Sequence, residues 1–269
     1  MRRLDWLLFC CTALACSNDT FSGDGGADAS DDNIIGGGDG APDDAAKDAG
    51  KDGLVIYHRF CEDAGGVFCA DFDILNDAGA GFQPPVTNDA GSITFETSNH
   101  VSSPFAMQAS VSGNVSAQAQ LVTLIGADAG AAIRITLDAS IFVPDVGAVV
   151  APEVDVLDIG TPWATFALSE VAGSWKLQRR GGSTSGLSTP PTPNTWNQVR
   201  LVVNLGTNGT VSLDLNGANV ASLPSQDTTG IDGGLSAYPA QLQLGFYETS
   251  SPLPASETVL YDNVVVHFE

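Results

Sequence analysis

Three closely spaced acidic residues form the stretch of the chain best suited to catalysis. Glu153, Asp155 and Asp158 lie in the sequence EVDVLD, whose valines and leucine are typical of a β-strand. Retaining hydrolysis of a glycosidic bond needs two carboxyl groups about 5–5.5 Å apart, one ionised and one protonated. Glu153 and Asp155 share a strand face, and Asp158 joins them only if a bulge shifts the alternation. The alternative is an acidic strand whose carboxylates face solvent between core valines.

Aromatic and cationic side chains mark a second candidate site, one that would bind a sugar. Sugar sites combine an aromatic face with a few fixed polar groups. Trp163 and Trp175 flank a predicted hairpin, and Arg179 and Arg180 follow its second strand. The candidate ligand-binding set is Trp163, Trp175, Arg179 and Tyr247, with Arg180 as a further candidate. The alternative for both tryptophans is a place between two sheets, the commoner position for large aromatic residues.

The segments that must position these residues alternate apolar and polar side chains with a period of two. Such runs cover residues 117–125, 133–138, 199–205, 211–215, 241–246 and 259–268. This period, with many β-branched residues, predicts half-buried strands separated by clusters of Gly, Asn, Asp and Pro. Asn208-Gly209 between two such runs predicts a β-hairpin. About twelve to fourteen strands with regular turns predict an all-β, two-sheet antiparallel jelly-roll sandwich.

The first 53 residues have the composition of an export signal followed by a linker. Two arginines precede an apolar stretch that is too short to cross a bilayer. The sequence TALAC, which ends at Cys16, resembles a bacterial lipobox; this implies a lipoprotein signal peptide over 1–15 and lipidation of Cys16. Ser17 after the cysteine resembles an outer-membrane sorting signal. The alternative is an ordinary signal peptide with an incidental cysteine.

The segment 16–53 is predicted to be a disordered acidic linker. Residues 17–53 contain ten aspartates and two lysines among many Gly and Ala, with a single aromatic residue. Such a chain cannot bury enough apolar surface to offset the entropy lost on ordering. It would hold the following domain, residues 54–269, away from a membrane surface.

The charge of the chain limits its partners. Ten Lys and Arg against 32 Asp and Glu give a formal net charge of −22. A polyanion of this kind is repelled by nucleic acids and by anionic lipid headgroups. We therefore expect no nucleic-acid partner.

Two cysteines are left for the domain itself. Cys61 and Cys69 are the cysteines outside the first 16 residues, and in an exported chain they are predicted to form a disulfide. The loop between them contains Gly65-Gly66, a natural turn. A tetrahedral zinc site is a poor alternative, because two cysteines without clustered histidines do not supply its ligands.

Three segments carry motifs of a known family. They are the hairpin 195–217, with a W-x-x-V opening, the closing run 260–266 and the opening run 68–73. They resemble concanavalin A-like lectin and glucanase domains, in particular laminin-G-like ones, which implies a lectin-like β-sandwich whose first and last strands pair. Retaining β-glucanases of this fold carry E-x-D-x-x-E on one strand; here Asp158, one methylene shorter, stands at the acid position. The fold hosts lectins, glycosidases, lyases and adhesion modules, so the resemblance implies no single activity.

The resemblance also implies a candidate calcium site, because some relatives of this fold bind calcium near these strands. Asp71, Asp73 and Asp262 would come together if the first and last strands pair. Calcium takes six to eight oxygen ligands, and the two carboxylates on one face of the first strand would need a cation, hydrogen bonds or full solvation. No other cofactor is expected.

These features predict an exported cell-envelope lipoprotein, anchored in the outer membrane through its lipid. Its domain is predicted to be a non-catalytic binding or adhesion module, with carbohydrate as the candidate ligand and a polysaccharide or surface protein as partner. One alternative is a glycan-cleaving, glucanase-like enzyme that uses Glu153 and Asp158. Another is a structural envelope protein without a small ligand.

Overall fold

The protein is described by a computed structural model, which covers the residues of the predicted β domain with gaps. The described residues are 60–72, 81–113, 117–125, 132–144, 154–161, 164–171, 173–228, 240–247 and 255–269. All of them belong to the second of two units of the chain, Val55–Glu269. The predicted signal peptide, Cys16 and the predicted linker lie outside the described residues. Within the described ranges, no helix is long and apolar enough to span a membrane.

The described residues form fifteen β-strands and one short helix, α1 (Phe60–Ala64). The strands are β1 (Phe68–Ala70), β2 (Val86–Thr87), β3 (Gly91–Glu96), β4 (Ala106–Val111), β5 (Ala119–Ile125), β6 (Arg134–Phe142), β7 (Val154–Gly160), β8 (Thr165–Val171), β9 (Ser174–Arg179), β10 (Thr184–Gly186), β11 (Trp196–Asn204), β12 (Gly209–Leu215), β13 (Ala218–Gln226), β14 (Ala240–Phe246) and β15 (Glu257–Phe268). The prediction of an all-β fold is confirmed. The strand count exceeds the expected one because edge strands as short as β2 and β10 carry too few residues to show alternation.

The strands pair into two antiparallel sheets. The first sheet has the order β13-β12-β11-β6-β15-β4-β3, and β1 also pairs with β15. The second sheet has the order β10-β9-β8-β7-β14-β5-β2. The expected pairing of the first and last strands is confirmed, with Phe68 opposite Val266. The two-sheet jelly-roll sandwich predicted from the sequence is therefore the observed fold.

One apolar core lies between the two sheets. In β12 the buried residues are Val211, Leu213 and Leu215, and in β14 they include Leu242 and Leu244. These alternate with polar residues, as a strand with one face on a core requires. The polar positions of β7, β8, β9 and β14 therefore point away from the core, onto the outer face of the second sheet.

Two predicted local features are confirmed in the first sheet. The Asn208-Gly209 hairpin joins β11 to β12, with Val203 opposite Val211. The Sγ atoms of Cys61 and Cys69 are 2.12 Å apart, so a disulfide joins α1 to β1. Because β1 pairs with β15, this disulfide attaches the start of the described domain to its last strand.

Candidate functional site

A β-bulge in β7 places two of the predicted carboxylates on one face of the second sheet. In the pairing of β7 with β8 the register shifts between Asp155 and Leu157, which leaves Val156 as an extra residue. One extra residue moves the alternation by one position, so Asp158 points away from the core, as Asp155 does. In a regular strand the two carboxyl groups would lie on opposite faces.

The hydroxyl group of Tyr261 holds this bulge from the core side. Tyr261 belongs to β15 of the first sheet, is fully buried, and donates its hydroxyl hydrogen to the carbonyl oxygen of Val156. The hydroxyl oxygen of Tyr261 in turn accepts a hydrogen bond from the backbone N–H of Gly245 in β14, at 3.0 Å. Burial raises the pKa of Tyr261, which keeps the hydroxyl group protonated and able to donate. A single core tyrosine therefore connects the bulge in β7 to the neighbouring strand and to the opposite sheet.

Asp155 accepts hydrogen bonds on both of its carboxylate oxygens. Its Oδ1 accepts from the hydroxyl of Ser169 and from Nε2 of Gln178, the latter at 2.8 Å. Its Oδ2 accepts from Nε of Arg180, also at 2.8 Å. Ser169, Gln178 and Asp155 are all buried. Three donors, one of them charged, thus fix this carboxylate in place.

The guanidinium group of Arg180 links the two aspartates to an exposed aromatic ring. Its Nε binds Asp155, and its Nη2 donates to Oδ2 of Asp158. The guanidinium carbon lies 4.4 Å from the centre of the Tyr247 ring, in a cation–π contact. Tyr247 is 45% exposed. Aromatic surface is therefore open to solvent beside a buried group of charges.

Asp158 is the most deeply buried charged residue of this group. Only 2% of its surface is exposed, and burial raises the pKa of its carboxyl group well above the usual range. The negative charge of Asp155 raises this pKa further, while the positive charge of Arg180 opposes the rise. The carboxyl group of Asp158 therefore tends to hold its proton.

Among the described residues, three buried polar atoms on this face have no hydrogen-bond partner: Oδ1 of Asp158, Nε2 of Gln243 and Oε1 of Gln120. Gln243 lies directly opposite Asp158, and Gln120 is on β5, the next strand of the sheet. Gln243 is 4% exposed and Gln120 is 6% exposed. A buried polar atom without a partner costs about 1–3 kcal/mol.

These residues make up one patch, which we call the polar face. It consists of Gln120, Asp155, Asp158, Ser169, Gln178, Arg180, Gln243 and Tyr247. It offers a mixture of donors and acceptors beside one exposed ring.

The structure separates the predicted ligand-binding residues. Tyr247 belongs to the polar face, but Trp175 and Arg179 lie on the other side of β9, where Trp175 packs against the core. The reason is alternation: of the two arginines considered, Arg180 is one position further along the chain and so lies on the polar face, whereas Arg179 does not. Glu153 and Trp163 lie outside the described residues.

The aspartates of the candidate calcium site make other contacts. The two carboxylate oxygens of Asp262 accept four hydrogen bonds, from the backbone N–H groups of Val101, Ser102 and Asn263 and from the Ser102 hydroxyl. Asp71 accepts a hydrogen bond from the backbone N–H of Cys61, and Asp73 lies outside the described residues. Among the described residues, no group of three His, Cys, Asp or Glu is placed to hold a metal ion. Asp262 instead orders the loop before β4.

The sequence analysis missed Gln120 and Gln243. Each occupies a polar position of an alternating strand, a pattern that suits a solvent-exposed side chain equally well. The available signal was the alternation, which places both on the outer face. The order of strands β7, β14 and β5, which brings Gln243 opposite Asp158 and Gln120 onto the same face, could not be inferred from this alternation.

No protein-family profile and no curated protein sequence matches this chain. Similar solved structures include an endo-β-1,4-glucuronan lyase from the fungus Trichoderma reesei, with 12% identity and a TM-score of 0.55 over 76% of this chain and 96% of that chain. Alginate lyase vAL-1 from a Chlorella virus has 11% identity and a TM-score of 0.52 over 76% of this chain and 100% of that chain. The binding domain of botulinum neurotoxin serotype D/C has 10% identity and a TM-score of 0.50 over 76% of this chain and 49% of that chain. At these identities the likeness shows the fold, a β-sandwich of the concanavalin A-like jelly-roll type.

Proposed function

We propose that the chain binds carbohydrate through the polar face, as a non-catalytic recognition domain. The observation that carries this proposal is the ring of Tyr247, 45% exposed, in contact with the guanidinium group of Arg180, whose side chain is 29% exposed. A sugar has an apolar face that packs on an aromatic ring, and hydroxyl groups that both donate and accept hydrogen bonds. The polar face offers both features in one place. Two of the similar solved structures are named for lyases of glucuronan and alginate, which is in keeping with a carbohydrate ligand.

Cleavage of a glycan is the second candidate function, favoured by the bulge that brings Asp155 and Asp158 to one face. Hydrolysis requires a carboxylate oxygen free to act on the sugar and an acid that reaches the glycosidic oxygen. The acid of this candidate, Asp158, is almost fully buried, and the oxygens of Asp155 beside it already accept three hydrogen bonds. Binding therefore suits this geometry better than cleavage. In this second candidate function, Glu153 is the nucleophile.

Replacing Tyr247 with alanine is expected to weaken binding of the preferred glycan about tenfold, because the ring that packs on the sugar is lost. Tyr247→Phe keeps the ring and should bind nearly as well as the wild type. A glycan array identifies the ligand, and calorimetry then measures the affinity of each variant.

The matched control for this experiment is Ile133→Ala, which removes an exposed apolar side chain just before β6 of the first sheet, away from the polar face. Unchanged affinity in Tyr247→Ala would contradict the proposed site. If the wild type releases reducing ends from a glycan and neither Glu153→Gln nor Asp158→Asn does so, the function is cleavage and not binding.

We also propose that the domain is displayed from the outer membrane by a lipid on Cys16. The TALAC sequence and the acidic segment that follows support this proposal. Cys16→Ser is expected to release the protein from the membrane fraction, or to leave an uncleaved precursor, and to abolish incorporation of labelled palmitate. Cys11→Ser, within the signal, should change neither result. Membrane association that persists in Cys16→Ser would rule out this anchor.

A further inference from the structure

At one end of the sandwich, a glutamate from each sheet points into the space between the sheets. Glu257 begins β15 of the first sheet and lies two positions before the core residue Val259. Glu170 lies near the end of β8 of the second sheet, two positions after the core residue Leu168. Because alternate residues of a strand share a face, both carboxyl groups are directed inward.

The carboxyl group of Glu257 is buried without a counterion. Glu257 is 6% exposed, and its Oε1 is buried and has no hydrogen-bond partner among the described residues. Glu170 is partly buried. Neither glutamate forms an ion pair with a described Lys, Arg or His. A buried carboxylate without a counterion is costly, whereas the neutral, protonated form is tolerated at this depth.

The other described side chains around this end supply no compensating charge. Lys176 lies opposite Ser169 on the neighbouring strand, so it points to the outer face of the second sheet, as Arg180 does. The residues of β4, β7, β9 and β14 that face the core at this end are apolar or aromatic: Val111, Val154, Trp175 and Phe246. Glu257 and Glu170 therefore face each other across an apolar space.

These surroundings favour the protonated form of both glutamates. Burial, and after it the negative charge of Glu170, raise the pKa of Glu257 to about 7. Burial also raises the pKa of Glu170. Glu257 therefore passes from neutral to ionised around neutral pH, where its ionised form is repelled by a second carboxylate.

We propose that Glu170 and Glu257 form a pH-sensitive contact that keeps the two sheets closed at this end while Glu257 is protonated and lets them separate when it is ionised. The opening is local, because the rest of the core between the sheets is mostly apolar. It would reach the polar face, since Glu170 follows Ser169, whose hydroxyl binds Asp155. This inference does not depend on carbohydrate binding.

The pH dependence of stability tests this contact. A carboxyl group whose pKa is raised by folding stabilises the folded state most below its unfolded pKa, and this contribution is lost as the pH rises through its folded pKa. Urea denaturation of the full chain compares the wild type with Glu257→Gln, whose amide does not titrate. We expect the ratio of the wild-type to the variant folding equilibrium constant to fall about 50- to 100-fold between pH 5 and pH 9.

The matched control is Glu269→Gln, which makes the same change at an exposed glutamate just after β15. It should keep the pH dependence of the wild type. If the ratio for Glu257→Gln stayed constant between pH 5 and pH 9, the proposed contact would be wrong.

Hydrogen exchange of the wild-type chain locates the opening and needs no variant. Protection factors, which are corrected for the intrinsic pH dependence of exchange, should fall about tenfold between pH 6 and pH 8 for residues 257–261 of β15 and 165–171 of β8. Those of β11 and β12 should not change. An equal loss of protection in β11 and β12 would contradict a local opening, and unchanged protection in β15 and β8 would contradict any opening. None of these results depends on whether the chain binds a glycan.

Discussion

Arg180→Ala is expected to lower the free energy of unfolding by about 2–4 kcal/mol. The variant leaves two buried aspartates without the cation that neutralises them, and breaking a buried ion pair from one side is costly for this reason. The expected loss is below the upper limit for such changes because the Arg180 side chain is 29% exposed and because Asp158 can hold a proton. Urea denaturation of the wild type and the variant measures the difference.

The effect of Arg180→Ala should also depend on pH. Burial raises the pKa of Asp158 in the folded protein, and loss of Arg180 would raise it further. A carboxyl group whose pKa is higher in the folded protein than in the unfolded chain favours folding most at pH values below its unfolded pKa. This contribution to the free energy of unfolding is lost as the pH rises through the folded pKa. The deficit of the variant should therefore be larger at about pH 9 than at about pH 5.

The control for this prediction is the adjacent arginine. Arg179→Ala removes the same side chain from the opposite face of β9 and should cost less than about 1 kcal/mol. In the double variant Arg180→Ala with Asp158→Asn, part of the loss should be regained at about pH 9, because a neutral amide replaces the carboxyl group that would ionise there. Equal stability of Arg179→Ala and Arg180→Ala would show that the ion pairs do not contribute.

Tyr261→Phe is expected to destabilise the protein by about 2–4 kcal/mol although it removes a single oxygen atom. That oxygen donates to the carbonyl of Val156 and accepts from the N–H of Gly245, so its loss leaves two buried backbone groups without this partner. Because Val156 is the bulged residue, the variant should also disturb the placement of Asp158 and weaken glycan binding. Urea denaturation and calorimetry on the same samples measure both effects.

Tyr247→Phe is the matched control for this change. It removes the same hydroxyl group from an exposed tyrosine and should alter stability by less than about 0.5 kcal/mol. If Tyr261→Phe were as stable as Tyr247→Phe and bound glycan normally, the bulge would not depend on the core hydroxyl.

The features that could be predicted from the sequence are those that arise from local chemistry. Period-two alternation identified the longer strands because one face of each must be apolar where it meets a core. Asn208-Gly209 marked a hairpin because its residues tolerate the backbone angles of a tight turn. Cys61 and Cys69 could be paired because they are the cysteines that remain outside the first 16 residues. The shortest strands were missed, since two or three residues carry no period.

The candidate site was predictable only in part. Asp155, Asp158 and Tyr247 were identified by residue type, yet Trp175 and Arg179 were placed beside Tyr247 although the alternation of β9 turns them to the other face. The pairing of Asp155 with Asp158 depended on a bulge that the sequence does not mark. Polar residues from different strands that form one site have the same sequence pattern as ordinary solvent-exposed residues. They can be told apart only when the order of the strands in the sheet is known.

By itself, the sequence determined the class of fold, because alternating strands of this number bury their apolar faces only by packing two sheets together. It also determined the strong negative charge that disfavours nucleic acid as a partner. Only the tertiary structure decided which polar residues form one face. The decisive contact is the hydrogen bond from Tyr261 to Val156, two residues separated by 105 positions in the chain. Contacts of that range follow from how the two sheets pack, and no local pattern of residues specifies them.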